Sequence, residues 1–184
     1  MSDIAERYRK VAGGFTARVE GVPAGAWDNS SPCEGWVARD VVGHLVEWLP
    51  AYFFTTWEIE AKPGPSVAED PVGAWAALDD TIQSSLDDPN IASAVRDTRM
   101  GPSSFEQQID MICTSDVFFH TWDLARATGQ DETLDEGEVE RMLAGMSTID
   151  EDMLRSSGHY GPRVDVPEDA RAQDKLIAFI GRQP

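Results

Sequence analysis

Three observations in the amino-acid sequence predict an all-α fold. Apolar residues recur at steps of three and four along several long segments, no stretch sustains a two-residue alternation, and capping spacings followed by Gly or Pro stops bracket the periodic segments. Short connections between three or four long helices make an antiparallel four-helix bundle with extra C-terminal helices the simplest packing. No segment repeats, and no low-complexity linker divides the chain. The 184 residues therefore read as one domain, residues 1–184, with a core over about 1–150 and a C-terminal extension over about 151–184.

The first helix is predicted by Ile4, Tyr8, Val11, Phe15 and Val19, with Asp3 and Glu6 at capping-box spacing, and it ends at Gly21-Val22-Pro23. A loop rich in Gly, Ser, Asn and Pro then runs to Gly35-Trp36. The second helix starts near Val37 and continues toward Glu60, because Val37, Val41, His44, Leu45, Trp48 and Tyr52 share one broad face. Pro50 lacks an N–H and its ring opposes the carbonyl of Val46, which predicts a kink or a break there. A third helix follows Asp70-Pro71 through Val72, Trp75, Leu78, Ile82 and Leu86. Residues 91–102 have no clear period and read as a loop or short extended stretch.

Ser103 and Glu106 are spaced as a capping box for a fourth helix, Phe105 to about Thr128, expected to be the longest uninterrupted one and closed by Gly129. A fifth begins after Asp135 and buries Val139, Leu143, Met146 and Ile149. A last short helix lies around Glu168 to Ile180, and His159 falls in a loop, Ser157 to Gly161, where it is solvated.

Composition narrows the function classes. Acidic side chains outnumber basic ones 33 to 15, a net charge of −18, and such a surface repels nucleic acid and anionic lipid. The N-terminal residues contain no apolar signal region and no apolar run approaches bilayer-spanning length, so a cytoplasmic location is expected. Cys33 and Cys113 form no CxxC pair and read as reduced thiols. Gly-rich phosphate loops, GxSxG elbows and HExxH motifs are absent from the sequence.

What remains is the placement of histidines inside helices. His44 lies between Val41 and Trp48 on an apolar face. Asp116 and His120 are four residues apart, about 40° around a helix, so a carboxylate and an imidazole stack one turn apart. Two His and one carboxylate on facing helices suit zinc or another divalent ion with an open coordination position. The same spacing also suits a His–Asp hydrogen bond beside a core histidine, and spacing leaves both readings open. Cys113 shares the predicted face and is either a core packing residue or an extra ligand, Asp123 either pairs with Arg126 near the helix end or orients a ligand histidine, and Glu47 is a candidate base. Cys33 reaches this region only if its loop folds back; otherwise it is a small packing residue.

The stretch Ser31-Pro32-Cys33-Glu34-Gly35-Trp36-Val37-Ala38-Arg39-Asp40-Val41-Val42-Gly43-His44-Leu45 resembles the PCxGWxxxDVxxHL signature of the metal-binding domain of mycothiol-dependent maleylpyruvate isomerase, a branch of the DinB-like superfamily. His120-Thr121-Trp122-Asp123-Leu124-Ala125-Arg126-Ala127-Thr128-Gly129 is similar to its HxWDLAxATG stretch. The resemblance covers nearly the whole chain and fits the short, single-domain members. It implies a DinB-like four-helix bundle binding zinc, nickel or another divalent metal through His44, Asp116 and His120. It also implies mycothiol or another small thiol as cosubstrate, a small electrophile as substrate, and a thiol transferase or isomerase activity.

The isomerase carries Glu where this chain has Asp116, one methylene shorter, so either the helices approach more closely or Asp116 acts through water. The competing class is a non-enzymatic bundle with a structural or degenerate metal site, serving a binding or assembly role. A homodimer is compatible with either class.

Overall fold

The computed structural model describes residues 2–156 and 158–184; Met1 and Ser157, at the start of the chain and of the predicted His159 loop, lie outside them. The fold is mostly helical, and its strands are confined among the described residues to one two-stranded hairpin. The chain divides into two compact units, Met1–Asp131 and Glu132–Pro184.

In the first unit, helix α1 (Asp3–Glu20) is capped by Ser2, whose hydroxyl accepts from the Ala5 N–H, one residue ahead of the predicted cap. Its buried face carries Tyr8, Val11, Phe15 and Val19, as the periodicity requires. Helix α2 (Ala38–Leu49) opens with the Asp40 carboxylate accepting from the Val37 N–H. At Pro50 the helix neither breaks nor stops. It passes through a π-turn, Pro50–Phe54, in which the Thr55 N–H bonds back to the Pro50 carbonyl, and ends at Trp57 with Glu58 in the left-handed region, short of the predicted Glu60. The wider turn accommodates a residue that cannot donate.

Helix α3 (Pro71–Asp87) begins at Asp70, whose side chain accepts from Gly73 N–H. The aperiodic stretch that follows is largely a hairpin, β1 (Val95–Thr98) antiparallel to β2 (Gly101–Ser104). The fourth predicted helix is not uninterrupted. A capping box at Ser104 and Gln107, one residue past the predicted pair, starts a single turn, Phe105–Gln108. A π-turn, Ile109–Cys113, then leads into α4 (Thr114–Thr128), closed by Gly129 at φ 69°. The backbone N–H and the hydroxyl of Thr114 both donate to the Ile109 carbonyl, which holds the extra residue in the turn.

Each of α1 and α2 packs against both α3 and α4, and the faces that meet bury Tyr8, Phe15, Leu45, Leu49, Trp75, Ile82, Trp122 and Leu124. Trp75 and Phe15 meet edge to face with centroids 4.6 Å apart, and the Trp75 indole N–H donates to Thr16. Burying such rings is the main source of stability in a core of this size.

In the second unit, α5 (Glu136–Met146) is capped by Asp135 and packs on α7 (Ala172–Phe179); α6 (Glu151–Ser156) lies between them in sequence. Val139 and Met146 are buried as expected, but Met142 takes the third core position, whereas Ile149 is 45% exposed beyond the end of the helix. The last helix starts at Ala172 rather than near Glu168, and His159 is exposed. The compact first unit ends at Asp131, short of the core boundary expected near residue 150. Among the described residues no helix is long and apolar enough to cross a membrane.

Candidate metal centre

His44 projects from α2 between the buried Val41 and Leu45 on one side and Trp48 on the next turn. Asp116 and His120 project from the first half of α4, one turn apart. Packing of α2 on α4 brings the three together: His44 Nε2 lies 3.3 Å from Asp116 Oδ2, and His120 Nε2 lies 3.5 Å from Asp116 Oδ1. The two imidazole rings stand edge to face with centroids 5.0 Å apart. One ligand atom from each residue lies within 4.8 Å of the other two. Ligands about 2.1 Å from a tetrahedral zinc are separated by about 3.4 Å, so the donor types and the carboxylate–imidazole spacings fit a divalent ion. The shorter Asp116 side chain reaches both histidines.

The carboxylate is held from a third direction, since Trp48 Nε1 donates to Asp116 Oδ2 at 2.9 Å. Burial opposes the charge of Asp116, but His120, His44 and the Trp48 N–H outweigh it and bring its carboxyl below the ordinary range. His120 is almost fully buried, and burial alone lowers its pKa; Asp116, Asp123 and Cys33 reverse that and raise it to about 10. Asp123, completely buried, faces His120 Nδ1 through Oδ2 at 2.9 Å. In the metal-free chain both His120 nitrogens therefore carry a proton near neutral pH; an ion that displaces the Nε2 proton meets a ring whose Nδ1–H stays donated to Asp123, with the Nε2 lone pair facing Asp116 and His44.

Trp36 and Cys33 come from the loop before α2, which does fold back. Ser30 and Val37 form an antiparallel bridge, the Ser31 N–H donates to the Trp36 carbonyl, and Asn29 Nδ2 donates to the Ala127 carbonyl of α4. The Trp36 ring stacks on His120 at 5.8 Å and tilts against His44 at 5.0 Å. The Cys33 thiol donates to Asp123 Oδ2 at 3.3 Å. Cys33, His120 and Asp123 thus make a second cluster of potential ligands sharing one histidine with the first.

Two candidates from the sequence fall outside both clusters. Cys113 ends the π-turn and is fully buried on the side of Tyr8 and Asp79; it packs in the core and contributes to neither group of ligand atoms. Burial first, then Asp116 and Asp79, push its thiol pKa well up. Glu47 is exposed on α2. Trp48 as a donor to Asp116 was legible one turn from His44, but its type reads as core.

The profile of the mycothiol maleylpyruvate isomerase N-terminal domain matches residues 8–125, and the chain belongs to that family. It is also 27% identical over 179 residues, 95% of each chain, to proteins described as uncharacterized from two strains of Mycobacterium tuberculosis. No solved structure matches it. Membership makes this a DinB-like, mycothiol-related metal-binding domain, and the match spans α2 and the part of α4 that carry His44, Asp116 and His120.

Proposed function

We propose that this chain binds one zinc or similar divalent ion through His44, Asp116 and His120 and catalyses a thiol-dependent transfer or isomerisation of a small electrophile. The observation that supports this most is the convergence of two imidazole Nε2 atoms and one carboxylate across α2 and α4. Three protein ligands leave a coordination position open, and an ion held there supplies Lewis acidity that stabilises a thiolate near neutral pH. Mycothiol, or another low-molecular-weight thiol, is the cosubstrate that family membership favours. A cytoplasmic setting keeps such thiols, and Cys33 and Cys113, reduced. Nucleic acid and membranes are poor partners for a chain of charge −18, and the partners proposed are small molecules and a second copy of the chain.

The chain's own residues prepare the site. Asp123 fixes the His120 tautomer, Trp48 sets the rotation of the Asp116 carboxylate, and Trp36 covers the flank of both imidazoles and limits their access to solvent. A purely structural site would be closed by a fourth protein ligand, and Cys113, the sequence candidate for it, joins neither ligand cluster.

Elemental analysis of the untagged protein, compared with His44→Ala and His120→Ala, tests the reading. About one equivalent of metal, lost in both variants, together with chelator-sensitive turnover of electrophiles only when thiol is supplied, is the expected result. Metal-free protein after reconstitution, or a loaded protein inert across a panel of thiols and electrophiles, overturns it.

A further inference from the structure

Cys33 is held against α4 by a closed loop, and its sulfur lies 3.3 Å from the same Asp123 oxygen that faces His120 Nδ1 at 2.9 Å. The three side chains present sulfur, oxygen and nitrogen donors within 4.8 Å of one another. Asp123 is completely buried and His120 is 4% exposed, whereas the Cys33 loop is half-exposed. A cation can therefore arrive from the loop side without passing through the helical core. The separations are a few tenths of an ångström shorter than the ligand–ligand edges of about 3.3–3.6 Å expected around a tetrahedral thiolate-bound ion, an expansion that a movement of the loop can supply.

We infer that Cys33, Asp123 and His120 Nδ1 form a second cation position, selective for thiophilic ions and mutually exclusive with the His44–Asp116–His120 position. Selectivity follows from the donors, because only this cluster contributes sulfur. Exclusion follows from His120: an ion-bound imidazole is neutral, with one nitrogen on the ion and one N–H, so an ion on Nδ1 leaves the proton on Nε2, facing Asp116, and an ion on Nε2 leaves it on Nδ1, facing Asp123. Binding at the Cys33 cluster releases the thiol proton and the His120 Nδ1 proton to solvent and leaves thiolate and carboxylate to neutralise a divalent charge. His120 is thereby the switch between two ion preferences, independently of any thiol chemistry at the first position.

Cadmium, titrated into the full-length, chelator-stripped protein, is the probe. In wild type and in His44→Ala we expect a cadmium–thiolate ultraviolet charge-transfer band saturating at about one equivalent. Cys33→Ser removes the band although Cys113 remains, and His120→Ala or Asp123→Asn weakens the ion at least about tenfold. In zinc-loaded wild type, cadmium that gains the band expels zinc, so total bound cation stays at one per chain. His44→Ala separates the two readings, since it removes the first position and spares the second. No band in wild type, an undiminished band in both folded His120→Ala and Asp123→Asn, or zinc and cadmium bound together overturns the inference.

Discussion

Trp48 Nε1 donates to Asp116 Oδ2 at 2.9 Å, the same oxygen that faces His44 at 3.3 Å, so the carboxylate's other oxygen is left directed at His120. An indole N–H fixing a ligand carboxylate from outside the ligand set tunes the site without touching the ion. Trp48→Phe keeps the ring and loses the donor. Zinc affinity, read by competition with a chromophoric chelator, is expected to fall about tenfold, with the helical circular dichroism spectrum unchanged. Undiminished affinity would show that the packing alone orients Asp116.

Asp123 supplies the matching constraint on His120. Asp123→Asn removes the negative charge at Nδ1 and permits the amide NH2 to face that nitrogen, which favours the Nε2–H tautomer and hides the lone pair an ion needs. A loss of about 10- to 100-fold in zinc affinity is expected, accompanied by a change in the His120 nitrogen NMR shifts toward the other tautomer. A variant that binds zinc like wild type with unshifted resonances would remove Asp123 from the site's machinery.

The family's longer carboxylate offers a third test. Asp116 already lies within 3.5 Å of both histidines and accepts from Trp48, so an added methylene has no room to be useful. Asp116→Glu is expected to bind zinc less tightly than wild type and to cost about 1–3 kcal/mol of stability through overpacking. Tighter zinc binding in Asp116→Glu would mean that the shorter side chain is a compromise rather than a fit.

The placement of the candidate ligands was legible in the sequence because it depends on local periodicity. His44 shares a face with Val41 and Trp48, and Asp116 stacks under His120, wherever those segments are α-helical. The two π-turns were not legible as such: an i to i−5 bond has no composition of its own, although Pro50 marked one of the places where the α pattern had to yield. Cys33 depended on contacts between distant segments, chiefly Asn29 on the Ala127 carbonyl, which no spacing rule reports.

Outside the candidate metal centre, the Tyr8 hydroxyl donates to Asp79 Oδ1 at 2.9 Å in a largely buried pair. Burial raises the Asp79 carboxyl pKa, the Tyr8 bond lowers it, Asp80 raises it and Arg9 lowers it, with a net upward shift. The folded chain therefore holds this proton more tightly than the unfolded chain does. The contribution to stability is greatest below the unfolded carboxyl's pKa and is lost as pH rises through the folded value. Tyr8→Phe removes the bond that favours the charged form; it should cost about 1 kcal/mol near neutral pH and extend the loss to higher pH. Asp79→Asn preserves an acceptor for Tyr8 and abolishes the window, so stability by chemical denaturation should become flatter with pH just above the unfolded carboxyl's pKa. An Asp79→Asn profile parallel to wild type would place the titrating group elsewhere.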